Sequence, residues 1–495
     1  LRCLVGSEMC IRDRYRRVVA ADPAAPQPQY NLGLALKGLG KLEGAEKALS
    51  AAIRLSPGYA RAYAALANLL DQRGKSAKAL TAWADAFKAN PAETDILSGL
   101  VRHLSHTRFE TANARAEQLL LELLSRADVE GQRLQIPVLS LLSARPEIKA
   151  ALASRDPALI DWREPPPLLL AALTRLIIAD PAWEALLTAW REEVRQTFTD
   201  LDDQRAPAVQ ALAAQMLATD YAYAQGAEKP QTPGAGRLSA KHIVYSLYAP
   251  LSDLPLEPDI PDGWDTFYRR HILAPSEERD AAEAIPALTP IDDATSQAVQ
   301  AQYTALPYPR WLSTRAIKPA TRQAVMEAAI TGLPPEPALH DPAPLKILVA
   351  GCGTGKHAVD VATRFSDAEV LAIDLSRPSL GYAACQAERL GIANIRFGVA
   401  DILQLGALDA RFDHIEAMGV LHHLADPLGG WAVLRSLLAP RGTMRIGPIQ
   451  PPGKACNQSR PIVGQGLFHR TGGTTRVSAG DLPFAAGKPG RRGRS

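Results

Sequence analysis

Cysteine is scarce in this chain of 495 residues, and long apolar runs are missing altogether. The five cysteines, an odd number at irregular spacing, exclude a disulfide framework and a structural zinc site. No run reaches the roughly 18 apolar residues that a bilayer-crossing helix needs, and no charged-then-apolar leader opens the chain. Neither sign of charge dominates. The formal net charge of +3 is too small to steer the chain toward nucleic acid or a membrane surface. What is present, 47% hydrophobic and 22% charged residues, is the composition of ordinary globular protein, with a reducing cytoplasm as the default compartment. The length leaves room for roughly two to four domains.

Both ends read differently from the middle. The chain begins at Leu1 without an initiator methionine, which suggests a fragment. Its opening LRCLVGSEMCIRDR holds Cys3 and Cys10, shows no amphipathic period and resembles a translated sequencing adapter, so residues 1–14 are expected to be non-native. Residues 448–495 hold nine glycines, six prolines and eight Lys or Arg against one acid, Asp481. Such a composition buries too little apolar surface to order itself. Either the reading frame is lost near Gly447, or this is a native disordered basic tail.

A period of 34 residues follows the odd beginning. It aligns Leu32 with Leu66, Gly33 with Ala67, Leu36 with Leu70, Gly40 with Gly74, Ala45 with Ala79, Leu49 with Trp83, Ala52 with Ala86 and Pro57 with Pro91. Small residues recur where two antiparallel helices touch, glycines fall in the turn between them, and each proline follows a helix it cannot continue. The pattern resembles tetratricopeptide repeats, clear over 26–93 and extending in partial form over 15–126. The resemblance implies a helical solenoid whose groove takes a protein or peptide partner.

Residues 127–250 read as further helices, with apolar residues at i, i+3 and i+4 in LLLAALTRLIIA and WEALLTAWREEV, and no catalytic constellation. His103, His106 and His242 read as surface or core histidines. Residues 251–344 read as a linker and helical extension: prolines and acids interrupt the stretch from Pro250 to Pro290, a loosely structured connection with one or two short helices, a helix covers Asp293 to Thr304, and PYPRW, Pro307 to Trp311, comes next. The proline-rich GLPPEPALHDPAPLK that follows is the clearest linker in the chain.

Beyond the linker the period changes, and residues 345–447 form one block. LKILVAG is a short continuous apolar run, the mark of a strand buried on both faces of a parallel sheet. HAVDVATRF, AEVLAID, SLGYAACQAERLG, NIRFGVAD, FDHIEAMG, PLGGWAVLRSLLAP and GTMRIG then alternate helix and strand, which predicts a doubly wound, Rossmann-like α/β fold. Ligands of such sheets bind at the carboxyl ends of the strands. The glycine loop AGCGTGKH lies after the first strand. A phosphate-binding loop needs Ser or Thr after Gly355-Lys356, where His357 stands, and a dinucleotide fingerprint needs glycine where Lys356 stands. What remains is Gly351, Gly353 and Gly355 at alternate positions, with Asp374 19 residues beyond Gly355, Asp401 after the third strand, and GVLHHL after the fourth.

This block resembles class I S-adenosylmethionine-dependent methyltransferases, and GVLHHL is similar to the loop of the ubiquinone and menaquinone biosynthesis methyltransferases. The resemblance implies S-adenosyl-L-methionine as cofactor. Gly351, Gly353 and Gly355 would admit its methionine part, Asp374 would bind the ribose, and Asp401 with Ile402 the adenine. For each aspartate the alternative is a strand-end cap. His422 and His423 are the titratable pair on the loop facing the methyl group, either as a base or as packing groups. The family usually carries an acid two residues before the first glycine; here that position is Val349. Cys352 reads as a packing residue, and Tyr303, Tyr308, Arg310 and Trp311 as either a lid or a packed linker. No metal and no nucleic acid is expected. The function implied is methyl transfer to an unidentified acceptor, with the repeats recruiting it; the alternative is an interaction scaffold with an inert cofactor-binding domain.

Overall fold

The computed structural model describes residues 17–18, 20–224, 229–305, 310–315, 317–322, 324–325, 344–365, 367–447 and the backbone of 475–477. Residues 1–14 lie outside these, as does the basic tail apart from Thr475–Val477, whose backbone pairs in parallel with Thr107–Phe109. Two compact units divide the chain, one built largely on 1–161 with 165–176, the other on 177–468 with 162–164.

The first unit starts as the repeat predicts. Helices Pro26–Gly38, Leu42–Leu55, Ala60–Gln72, Ser76–Ala89 and Thr94–Leu104 follow one another through short turns. The repeated glycines make those turns possible, because Gly40 and Gly74 sit at φ +68° and +69°, where a side chain would be strained. Small residues let neighbouring helices close up: Ala45 and Ala79 are fully buried, and a Cβ on Gly33 would lie 2.7 Å from Leu49 Cγ. Leu32, Leu36, Leu49 and Leu69 form the core between the first helices. More helices and the short strand Thr107–Phe109 complete this unit.

In the second unit, helices Pro181–Thr197 and Ala206–Ala218 bury Trp183, Trp190 and Val209. The sheet then forms from β1 (Lys346–Ala350), β2 (Glu369–Asp374), β3 (Ile395–Val399), β4 (Phe412–Ala417) and β5 (Leu438–Ile446). Its order is β3-β2-β1-β4-β5, all parallel. Alternate residues of β1 feed the two faces. Ile347 and Val349 join a core with Phe365 and Val370, while Leu348 and Ala350 join one with Ile373 and Ile415. That double burial explains the unbroken apolar run in the sequence. Helices Lys356–Arg364, Arg377–Arg389 and Pro427–Ser436 make the crossovers. Strand order reverses between β1 and β4, and the cleft at that reversal is where such sheets take ligands.

The stretch from Pro250 to Pro290, expected to be a loose connection with one or two short helices, carries helical turns over residues 265–273 that run into a helix, Ala274–Ala284. Helix Ala274–Ala284 packs so closely on Arg377–Arg389 that a Cβ on Gly381 would lie 2.3 Å from the Glu278 carbonyl oxygen. After it, Val399 N–H donates to Pro286 O at 2.9 Å and Leu288 N–H to Val399 O at 2.8 Å, so this short segment lines the edge of β3. Pro286 lacks a donor, but only its carbonyl is used there.

Candidate functional site

The glycine loop leaves β1 with its backbone already committed. Gly351 and Cys352 N–H groups both donate to Ile373 O at 2.9 Å, and Gly355 N–H to Cys352 O at 2.9 Å, which ties the loop to the end of β2. All three glycines have positive φ, +70°, +53° and +83°. Two of them are also crowded. A Cβ on Gly351 would lie 2.2 Å from Val420 Cγ2, and one on Gly355 2.3 Å from Ala383 Cβ. Gly353 differs, since a Cβ there would meet nothing within 4 Å. The outer glycines are therefore demanded by packing, and the middle one opens onto free space.

Asp374 ends β2 and grips this loop. Its Oδ2 accepts from Gly353 N–H at 2.7 Å and its Oδ1 from Ser376 N–H at 2.9 Å. Burial raises its carboxyl above the usual range, against the opposing backbone bonds from Ser376, Gly353 and Leu375. Those backbone donors do not exhaust the roughly four acceptor sites of the carboxylate, which keeps capacity for a ligand. Asp401, just past β3, is fully buried. Its Oδ1 accepts from Leu403 N–H at 2.9 Å and its own N–H donates to Thr289 Oγ1 at 2.9 Å. Its Oδ2 is buried with no hydrogen-bond partner among the described residues. An acceptor in that state costs free energy unless a donor arrives. Ile402 is buried beside it, in one core with Leu421 and Leu424.

The loop after β4 leans on the glycine loop through Val420. It carries His422 and His423 in the turn Leu421–His423, their rings 4.1 Å apart. Both residues are exposed. Partial desolvation, and then the neighbouring His422, lower the His423 pKa, which favours neutral imidazole. Helix Ala294–Ala305 runs beside them. Tyr303 meets His423 edge-on at 6.3 Å and accepts at its carbonyl from Ser376 Oγ at 3.0 Å, while Gln300 Nε2 donates to Leu375 O at 3.0 Å. Burial and then the charge of Asp374 raise the Tyr303 hydroxyl.

The structure thus brings Gly351, Gly353, Gly355, Asp374, His422, His423 and Tyr303 into one interlocked set, with Asp401 and Ile402 at the end of the next strand. Arg310 and Trp311 brace the glycine loop from behind; Tyr308 lies outside the described residues. Burial pushes the Cys352 thiol well above its usual range, so it stays a packing group. Three further residues are not singled out by the sequence. Thr289 holds the backbone of Asp401, Tyr382 holds Trp311, and Glu416 is a buried carboxylate in register with Val349. The acid missing from position 349 thus has a neighbour on β4, 67 residues further on, a pairing that only the strand order reveals. Among the described residues no group of His, Cys, Asp and Glu could hold a metal ion, and no helix is long and apolar enough to cross a membrane.

Two families match parts of the chain. Residues 347–442 match a methyltransferase domain family, and residues 12–60 and 30–94 match a tetratricopeptide repeat family. An uncharacterized protein of a Synechococcus strain is 36% identical over 31% of this chain and 37% of its own length. The demethylmenaquinone methyltransferase of Thermus thermophilus is 34% identical over 23% of this chain and 50% of its own. The solved structure of PKMT2 from Rickettsia typhi in complex with AdoHcy is 26% identical over 21% of this chain and 20% of that one, with a TM-score of 0.20. The chain spans about half or less of the length of these relatives. The cofactor of such a methyltransferase domain is S-adenosylmethionine, and the residues present fit it. Gly353 is open, Asp374 has acceptor capacity to spare, and Asp401 Oδ2 awaits a donor.

Proposed function

We propose that this chain, which joins tetratricopeptide repeats to a methyltransferase domain, transfers the methyl group of S-adenosylmethionine to an acceptor that the repeats help to recruit. The observation that carries the reading is the buried Asp401 Oδ2, unpartnered among the described residues just past β3, one strand over from β2, whose terminal Asp374 holds the glycine loop. Gly351, Gly353 and Gly355 leave the backbone bare where the methionine part would lie. Asp374 would accept from the ribose hydroxyls, and Asp401 from the adenine amino group with Ile402 against the ring. The bound cofactor supplies an electrophilic methyl carbon on a sulfonium, so the protein's share is alignment and exclusion of water. His422 or His423, the latter held toward its neutral form, would take a proton from an acceptor that carries one. Tetratricopeptide repeats commonly mediate protein interactions, which favours a protein or peptide partner; cytoplasmic residence fits this reading.

The test is calorimetric titration of the full chain with S-adenosylhomocysteine, together with transfer of a labelled methyl group into cell extract. Wild type should bind, and Asp374→Ala should weaken binding at least tenfold and abolish labelling in parallel. Unchanged labelling by the variant would overturn the site assignment. Binding without labelling of any extract would favour the scaffold reading instead.

A further inference from the structure

Trp311 is buried and Arg310 mostly covered at the back of the glycine loop, and their contacts are more specific than packing requires. The Trp311 indole N–H donates to Thr354 O at 2.7 Å, the one residue between Gly353 and Gly355. Trp311 is itself clamped at its backbone, because its N–H donates to Tyr382 Oη at 3.2 Å and the Tyr382 hydroxyl donates back to its carbonyl. Arg310 lies over the Tyr382 ring, 4.9 Å from its centroid, and pairs with Asp220 Oδ1 at 3.1 Å and Glu278 Oε2 at 3.2 Å. Asp220 and Tyr221 both have left-handed backbones, φ 48° and 59°, which non-glycine residues adopt only when the surroundings enforce it. Side chains from four separate segments thus converge behind one peptide group of the cofactor loop.

Weakening the hydrogen bonding of a buried carbonyl is costly, and a loop rich in glycine has alternative conformations available. Removing the indole takes away one donor that helps set how the Thr354–Gly355 peptide is turned. We propose that Trp311 is a positioning residue for the cofactor: its indole fixes the Thr354–Gly355 peptide so that the loop presents one conformation to the amino-acid end of S-adenosylmethionine. Arg310, held by Asp220 and Glu278 and stacked on Tyr382, keeps Trp311 in place. This assignment rests on the cofactor reading above and adds to it that only the methionine half of the ligand feels Trp311.

The experiment titrates the full chain with two ligands, S-adenosylhomocysteine and 5′-methylthioadenosine, which lacks the amino-acid part. Trp311→Phe keeps a buried ring and removes the donor. It should weaken S-adenosylhomocysteine about tenfold and leave methylthioadenosine within twofold. Tyr382→Phe, a smaller change, should weaken the first ligand about threefold in the same selective way and guards against a Trp311 variant that folds poorly. Equal affinities for wild type and both variants would overturn the assignment alone. Equal losses for both ligands would also overturn it, because general loosening of the domain would then explain them. No binding of either ligand by wild type would overturn the cofactor reading, and this assignment with it.

Discussion

Glu416 is a carboxylate in the middle of a parallel sheet, 1% exposed, where apolar side chains are the rule. Its burial by itself would raise its carboxyl, but hydrogen bonds from His357 at 2.8 Å and His414 at 3.3 Å outweigh that and hold it well below the usual range. Arg445 at 3.4 Å and Arg364 at 4.0 Å add positive charge. A carboxyl depressed by folding contributes stability above its unfolded pKa, and that contribution drains away as pH falls toward the folded value. Glu416→Gln is therefore expected to cost about 3 kcal/mol at pH 7, the scale for breaking a buried ion pair. The gap from wild type should narrow as pH drops below about 4.5. Urea midpoints at pH 7, 5 and 3.5 check this, and parallel pH profiles for the two proteins would refute it. The sequence displays Asp, His and Glu in FDHIEA, but the principal partner, His357, is 59 residues away and by its position alone only spoils a phosphate loop.

The connection before the methyltransferase domain shows how a short element escapes a reading by periodicity. Pro286 to Thr289 offers one carbonyl and one N–H to Val399 and one hydroxyl to Asp401, too little to set a repeat of two or of 3.6. Its role comes from where helix Ala274–Ala284 delivers it, by close contact at Gly381. The five strands and three crossover helices are legible because each spans enough residues to declare its period. The residues that hold Asp401 and Thr354 from outside that block are not. Thr289→Val keeps the shape and removes the acceptor, leaving the buried Asp401 N–H unpaired at a cost of about 1–3 kcal/mol. Melting temperature should fall by roughly 3–8 °C. S-Adenosylhomocysteine affinity should fall too, since the same turn aims Asp401. Thermal unfolding with and without ligand measures both, and an unchanged melting temperature would show that the hydroxyl contributes nothing to stability.

At the scale of the whole chain, the 34-residue period marks part of the first unit and the strand–helix alternation after the linker part of the second, which also takes in the helices from Pro181 onward that share neither period. The repeat is readable because small residues mark the close helix contacts. Gly99 stands one period beyond Ala65, and the packing there tolerates nothing larger: a Cβ would lie 2.1 Å from Trp83 Cη2, inside the buried seam of the first unit. Separate cores imply separate melting. Gly99→Ala is expected to cost about 1–3 kcal/mol, the range for overpacking, and to lower only the transition of the first unit. S-Adenosylhomocysteine at 100 times its Kd should stabilise only the second, by about 2.7 kcal/mol. Scanning calorimetry of the full chain, wild type and variant, with and without ligand, gives four traces. Independent shifts would mean that the repeats and the cofactor site are built on separable folding units, so that the repeats can be altered without touching the site. A single transition moved by both perturbations would mean that the repeats and the cofactor domain fold as one, and that changes in the groove reach the methyl-transfer site through stability alone.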